Sequence, residues 1–311
     1  MPRKHVPEFV TALQGRKEIP LKFQYLGGGA KLFSKIRQSN YPPFKAERRL
    51  LNKHAKLIAS KLRGKTANVV YPACGTGEKI FPLMKELIAK QKQSPVHFAL
   101  LDISPEMLAI AKRKMRSRLK TRVKLRTDIV DLEHGNFAHV TNDLRKNAGE
   151  VNLIVLDGNM LGQQHDKARI LGNLRDSMTS EDFLLLGVHI VGRKSRINVL
   201  QEHQEGPVAD FFSHVLENIG VSREAGQFVA FKNRQRNQLE WRFVFNQDVA
   251  IKLYGEQVRF EKGSKLLLGT SHKFEAPELR KMLNYAGFNE KLWLQDKTKE
   301  YALVLAQPKQ L

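Results

Sequence analysis

Between residues 66 and 190, short apolar runs alternate with helical patterns, and this alternation constrains the chain more than any other feature. The first run ends at Val69 and Val70 and breaks into the small-residue stretch YPACGTGEK, residues 71–79, before the helical pattern KIFPLMKELIAK resumes. The second, VHFALLDIS, ends in Asp102 and leads at once into PEMLAIAKRKM. RVKLRTDIVDL, VNLIVLDGNMLG and FLLLGVHIV supply three more runs. Strand-turn-helix units in series build a doubly wound α/β sheet, whose ligand lies beyond the C-terminal strand ends at the first turn. Ser104, followed by Pro105, is the better N-cap for the helix after the second run, which leaves Asp102 for another role.

The spacing of the first turn sorts the ligands such a sheet can hold. A P-loop needs Gly-Lys-Ser/Thr, so that amides wrap phosphate and a hydroxyl holds magnesium; here Lys79 is followed by Ile80. A dinucleotide fingerprint needs three glycines in G-x-G-x-x-G, and only Gly75 and Gly77 are present. A loop without a ligand is the plain alternative. What remains is the small-x-Gly-x-Gly turn of class I methyltransferases, with Ala73, Cys74 and Gly75 bordering S-adenosylmethionine (SAM). The later runs agree in order. Asp102 ends the second strand, where a carboxylate can accept both ribose hydroxyls. Asp128 ends the third, where members of that class contact the adenine, and Ile129 beside it joins that contact. Asp157, Gly158 and Asn159 form a loop after the fourth, with Gly158 on the substrate side.

Composition bounds the rest. A chain of 311 residues can bury a large core and suggests two lobes. No stretch approaches the roughly twenty apolar residues needed to cross a bilayer, and MPRKHVPEFV lacks a signal-peptide core. The single cysteine, Cys74, rules out an internal disulfide and suits a reducing compartment. A cytoplasmic monomer is expected. Cytosine C5 methylation needs a cysteine nucleophile, whereas Cys74 lies inside the turn as a small filler. No compact His/Asp pattern proposes a metal.

The formal charge of +22 is unevenly spread: residues 1–150 hold 31 basic and 12 acidic residues, and the rest of the chain is close to balanced. KRKMRSRLKTRVKLR, Lys112 to Arg126, carries nine basic residues and no acid. It reads either as a nucleic-acid footprint or as a solvated helix and strand. The second reading is preferred because no aromatic is interleaved to stack a base.

Shifts of pattern give the organisation. Residues 1–55 read as helices joined by SNYPPF and as part of a substrate lobe; 56–190, completed by 286–311, as the Rossmann-like cofactor domain; and 191–285 as an inserted α+β substrate-binding lobe. Within the insertion, PVADFFSHVLENIG has helical spacing, and LEWRFVFNQDVAIKLY with QVRFEKGSKLLLG suggests an antiparallel meander. The closing pair KLWLQDK and YALVLAQ is expected to return to the main sheet.

Several local words, in order along nearly the whole chain, resemble the histidine-specific Nα-methyltransferase family, the SAM-dependent enzymes of ergothioneine biosynthesis and their relatives. KFQYLGGGAKLF looks like that family's Lys-x-Phe-Tyr-Asp-x-x-Gly-Ser-x-Leu-Phe, which puts Tyr25 beside the reactive sulfonium. NYPPFKAE is similar to Glu-Tyr-Tyr-Pro-Thr-Arg-x-Glu, which makes Tyr41 a substrate-contacting tyrosine. In ACGTGEK, Gly75, Thr76 and Lys79 match Gly-Ser-Gly-Thr-Ser-x-Lys, making Lys79 a cofactor residue. TSHKF resembles the late Glu-x-Ser-x-Lys-Tyr/Phe word. The Asn-Pro-Pro-Tyr motif of other methyltransferases belongs after the fourth strand, so NYPPF is a decoy for it.

Departures from the family fall on the substrate residues. The glutamate that binds imidazole in the family corresponds to Gly269, the asparagine that holds the substrate's amino-acid group to Gln163, and a further substrate tyrosine to Gln201. Ser271 is kept. The resemblance therefore implies a SAM-dependent N-methyltransferase acting on a small amine or amino acid other than histidine, in a site where Gly269 frees volume. Tyr25 either steers the amine or is a core aromatic. No obligatory general base is assigned.

Overall fold

The computed structural model describes residues 5–38, 42–62 (without the side chains of 42–44), 65–91, 94–192, 206–253 and 255–310. In chain order the helices are α1 (Val6–Thr11), α2 (Gly29–Gln38), α3 (Pro42–Lys61), α4 (Phe81–Lys90), α5 (Pro105–Leu119), α6 (Ala138–Leu144), α7 (Met160–Gln163), α8 (Lys167–Asp176), α9 (Pro207–Asn218) and α10 (Ala276–Tyr285). The strands are β1 (Thr66–Pro72), β2 (Val96–Asp102), β3 (Val123–Ile129), β4 (Glu150–Leu156), β5 (Phe183–His189), β6 (Gly226–Asn233), β7 (Gln238–Phe245), β8 (Val249–Leu253), β9 (Glu256–Phe260), β10 (Lys265–His272), β11 (Phe288–Gln295) and β12 (Tyr301–Pro308). Residues 40–194 and 273–311 form one compact unit, and residues 1–39 and 195–272 another.

The first unit is built on a seven-stranded sheet of order β11-β12-β5-β4-β1-β2-β3. β1 to β5 run parallel, and β12 pairs antiparallel with both β5 and β11. The closing hairpin therefore joins the main sheet as expected. Alternate strand residues feed two cores. Val69, Tyr71, Phe98 and Leu100 pack with Leu51 and Ile58 of α3, Leu83 and Leu87 of α4 and Met115 of α5. Val70, Ala99, Leu101 and Ile154 pack with Val140 of α6, Leu171 of α8 and Leu279 of α10. Helix starts follow their local sequence: the Ser104 hydroxyl accepts the Met107 N–H with Pro105 at the first helical turn, and Glu275 and Glu278 form a capping box on α10.

The boundaries differ from the sequence reading, two of them by most of a helix. The sequence puts part of helix α3 in the N-terminal lobe, yet its apolar stripe of Leu50, Leu51, Ala55 and Ile58 lies in the core of the sheet unit. The sequence puts helix α10 in the insertion, yet Leu279 and Leu283 are buried in the sheet unit's other core. Burial of these stripes sets the limits at 39/40 and 272/273.

The second unit holds a three-stranded antiparallel sheet of order β10-β7-β6 and the hairpin β8-β9. Helix α9 carries the expected apolar stripe, burying Val208, Phe211, Phe212, Val215 and Leu216. Strand β6, GQFVAFKN, was not anticipated: only Ala230 on it is fully buried, so its alternation is weak. Gly29 at the start of α2 has no room for a side chain, since a Cβ there would run into the Gln24 carbonyl.

Candidate functional site

The turn after β1 is backbone that side chains rarely tolerate. Ala73, Gly75 and Gly77 have φ of +48°, +52° and +76°. The Cys74 N–H donates to the Leu101 carbonyl at 3.2 Å and the Gly77 N–H to the Cys74 carbonyl at 2.9 Å, which folds the loop over the ends of β1 and β2. At Gly77 a Cβ would stand 2.8 Å from Met115 Cε, a side-chain end that would have to swing aside, and the φ of +76° is the stronger reason for glycine there. Cys74 is buried, and burial pushes its thiol well above the ordinary range, with Asp102 and Asp157 adding to the effect. A thiol held neutral in this way is a poor nucleophile, in keeping with its expected role as a small filler.

Asp102 stands at the end of β2, and its Oδ1 accepts the Ser104 N–H at 3.0 Å. Its Oδ2 accepts the Gly75 N–H at 3.4 Å. Burial lifts this carboxyl to about 6, against the pull of those amides. No lysine or arginine among the described residues pairs with it. A carboxylate held by two backbone amides keeps acceptor capacity for further donors, which is what two ribose hydroxyls require. Directly across the strand pair from Asp102 is Ile129, an apolar side chain 60% exposed at the strand end, available to cover a flat ring. Asp128 is already engaged, its two oxygens accepting from Arg126 Nε at 2.6 Å and Nη2 at 2.9 Å.

On the other side of the turn is a buried polar cluster. Lys79 Nζ lies 2.8 Å from Asp157 Oδ1 and 3.0 Å from Glu47 Oε2. The Tyr71 hydroxyl donates to Asp157 Oδ2 at 2.7 Å. Glu47 Oε1 accepts the Gly158 N–H at 2.7 Å and the Tyr301 hydroxyl. Burial, and then the Glu47 charge, push the Asp157 carboxyl up, with Lys79 opposing. Both tyrosine hydroxyls are held well above their usual range, first by burial and then by the same two carboxylates.

The sheet unit thus brings Ala73, Cys74, Gly75, Lys79, Asp102, Ile129 and Gly158 to the C-terminal strand ends, with Asp128 beside them. Gln163 closes α7 and is half-buried. In the second unit, Tyr25 packs edge-on against Phe33 at 5.3 Å and Phe211 at 5.2 Å. Its neighbour Gln24 donates to the Leu268 carbonyl at 2.9 Å, which ties that turn to the strand carrying Gly269 and Ser271. Gly269 does not free volume. A Cβ there would stand 2.5 Å from Phe212 Cε1, because the Phe212 ring, stacked on Trp241 at 4.6 Å, fills the space. Tyr41 and Gln201 lie outside the described residues.

The basic stretch from Lys112 to Arg126 is partly tied down. Lys114 pairs with Glu78, Arg126 with Asp128 and Asp143, and Arg118 sits over the Phe81 ring at 4.6 Å. Sequence reasoning missed Glu47, Tyr71 and Tyr301 as partners in the buried cluster. One signal was available: Glu47 is the single acid in a helix carrying six lysines and arginines, a residue out of place on a solvated basic face.

Among the described residues no helix is long and apolar enough to cross a membrane. Comparison with known proteins matches residues 6–308 to a family described as histidine-specific methyltransferase, SAM-dependent. A curated relative, Histidine N-alpha-methyltransferase from Mycolicibacterium smegmatis, is 24% identical over 303 residues, 93% of this chain and 90% of that protein. A SAM-dependent methyltransferase from Clostridium acetobutylicum matches at TM-score 0.47 and 12% identity, over 90% of this chain and 98% of the other. Magnesium protoporphyrin IX methyltransferase from Synechocystis, solved with S-adenosylhomocysteine (SAH), matches at TM-score 0.49 and 13% identity, over 93% and 98%. The sheet order, with parallel β1 to β5 and the antiparallel β11-β12 edge, is that of a class I SAM-methyltransferase, and the chain belongs to the SAM-dependent, histidine-specific methyltransferase family.

Proposed function

We propose that this methyltransferase N-methylates a small amino acid or amino-acid-derived metabolite other than histidine. The observation that carries the reading is at Gly269. Where the resemblance places an imidazole-binding glutamate, this chain has glycine packed under Phe212, 2.5 Å from the position of a Cβ. The atoms nearest that position belong to the Phe212 ring, an aromatic face where the resemblance expects a carboxylate for an imidazole N–H. A site lacking that partner loses the discrimination a buried hydrogen bond provides.

The turn at residues 73–77, Asp102 and Ile129 are our assignments for the cofactor's nucleoside, Asp102 accepting the ribose hydroxyls and Ile129 covering the base. When bound, SAM supplies a methyl group on a positively charged sulfur, an electrophile that needs no further activation. The protein's share is alignment and exclusion of water. Gln163 and Ser271 are proposed to hold polar atoms of the acceptor. Tyr25 is proposed to steer its amine through the hydroxyl or the ring face. The amine reaches its neutral form by losing a proton to solvent, a loss favoured where a dry pocket lowers its pKa.

The test is a methyl-transfer screen with isotopically labelled donor across amino acids, their decarboxylated and conjugated forms, and bulk RNA. Transfer to a non-histidine amine with little to free histidine is expected, and efficient trimethylation of histidine contradicts the reading. The basic stretch motivates the RNA arm. RNA binding that weakens steeply with salt, together with methyl transfer to RNA, points instead to the nucleic-acid reading.

A further inference from the structure

Two buried carboxylates share one lysine beside the cofactor turn, and the local sequence makes room for them. A Cβ at Gly158 would collide with Lys79 Nζ, and one at Gly187 of β5 would stand 2.5 Å from the Tyr301 hydroxyl and 3.0 Å from Glu47 Oε1. The cluster brackets the turn in sequence, with Tyr71 just before it and Lys79 just after. It also reaches the turn electrostatically, since the Cys74 thiol is raised by Asp157 as well as by Asp102.

With both carboxylates ionised, two negative charges meet one positive. Glu47 is 1% exposed and Asp157 7%, and Lys79 is the one lysine or arginine bonded to either among the described residues. A buried ion pair adds little to stability even when its charges match, and a surplus buried charge is relieved either by a proton or by a further cation. The hydroxyls of Tyr71 and Tyr301 and the Gly158 N–H donate to the two carboxylates, which favours their ionised form without supplying a positive charge. The cofactor's amino-acid end carries an ammonium group, a cation of the size and charge required.

Resting on the assignment of the turn at residues 73–77 to SAM, we propose that Asp157 and Glu47 form the counter-charge for that ammonium group. Glu47 acts as a positioning residue, holding Lys79 and the Gly158 amide.

Two probes separate this role from a structural one in calorimetric titrations: SAH, and 5′-methylthioadenosine, which has the same nucleoside and no amino-acid end. Wild type is expected to bind SAH at least about tenfold more tightly. Glu47→Gln and Asp157→Asn should each lose about ten- to a hundredfold on SAH, the range for one charged hydrogen bond, and keep 5′-methylthioadenosine within about twofold. Equal losses on both probes, or no loss on either, overturn the proposal. Should the variants fail to fold, wild type is titrated with the deaminated analogue of SAH. Binding as tight as SAH itself overturns the proposal, and a loss of tenfold or more supports it. Failure of wild type to bind any of the probes overturns the cofactor assignment and the proposal with it, whereas failure to discriminate among them overturns the proposal alone.

Discussion

Asp102→Asn should make the apo protein more stable at pH 8 while weakening its hold on SAM. Burial holds this carboxyl at about 6, above the ~3.9 of an unfolded aspartate. The folded chain therefore binds the proton more tightly. The stability this contributes is complete below pH ~4 and is lost as the pH rises through 6, so the ionised group costs about 3 kcal/mol at pH 8. Asparagine removes the charge and can still accept the Ser104 N–H, but its amide faces the Gly75 N–H and forfeits the 3.4 Å bond, about 1–2 kcal/mol. The net expectation is a gain of about 1–2 kcal/mol at pH 8 and a loss of similar size at pH 4. Cofactor affinity should fall by about a hundredfold, because two hydroxyl hydrogen bonds to a charged acceptor at about 1.5–3 kcal/mol each are weakened. Chemical denaturation at the two pH values, with calorimetric titration of SAM at pH 8, reads both effects. A variant destabilised equally at pH 4 and pH 8, or one that binds SAM as wild type does, refutes the reasoning.

Other expectations follow from the same geometry. Wild-type affinity for SAM should fall about tenfold per pH unit below 6, because Asp102 must then give up a proton to accept the ribose; a flat titration from pH 7 to 5 removes Asp102 from the site. Lys79→Met leaves Glu47 and Asp157 adjacent, buried and unpaired, and should cost about 3–5 kcal/mol in denaturant melts; a change below about 1 kcal/mol would mean that the pair is already protonated. Gly269→Ala should destabilise by about 1–3 kcal/mol through its clash with Phe212. In a Phe212→Leu background the same change should cost less, and strict additivity of the two changes would deny the contact. Gly77→Ala combines an unfavourable φ of +76° with the approach to Met115, and should lower thermal stability more than Gly135→Ala, where no atom lies within 4 Å of the added Cβ.

Much of the sheet unit was legible because its signals are local. A continuous apolar run such as Val69 to Tyr71 means burial on both faces, and Ser104-Pro105 caps α5 whatever the rest of the chain does. The tight turn after β1 was legible from Gly75 and Gly77, and the strand end at Asp102 from the apolar run before it. The lobe boundaries were not. Whether the stripes of α3 and α10 belong to the sheet depends on which surface covers Leu51 and Leu279, and periodicity does not name the partner. The buried cluster was hidden for a similar reason: Glu47, Tyr71, Asp157 and Tyr301 come from four separate segments, and only the parallel order of β1, β4 and β5 with β12 alongside brings them together. At Gly269 the sequence suggested a vacancy because a large side chain was missing. The ring that fills it comes from Phe212, fifty-seven residues earlier in the chain.

The most direct test of the central claim is the specificity constant for methyl transfer to free histidine, set against that for the best non-histidine amine, with the same enzyme and saturating SAM. A ratio favouring the other amine by about a hundredfold or more is predicted, the order expected when a site lacks the partner for a substrate's buried hydrogen bond. A ratio near one, or one favouring histidine, contradicts the account.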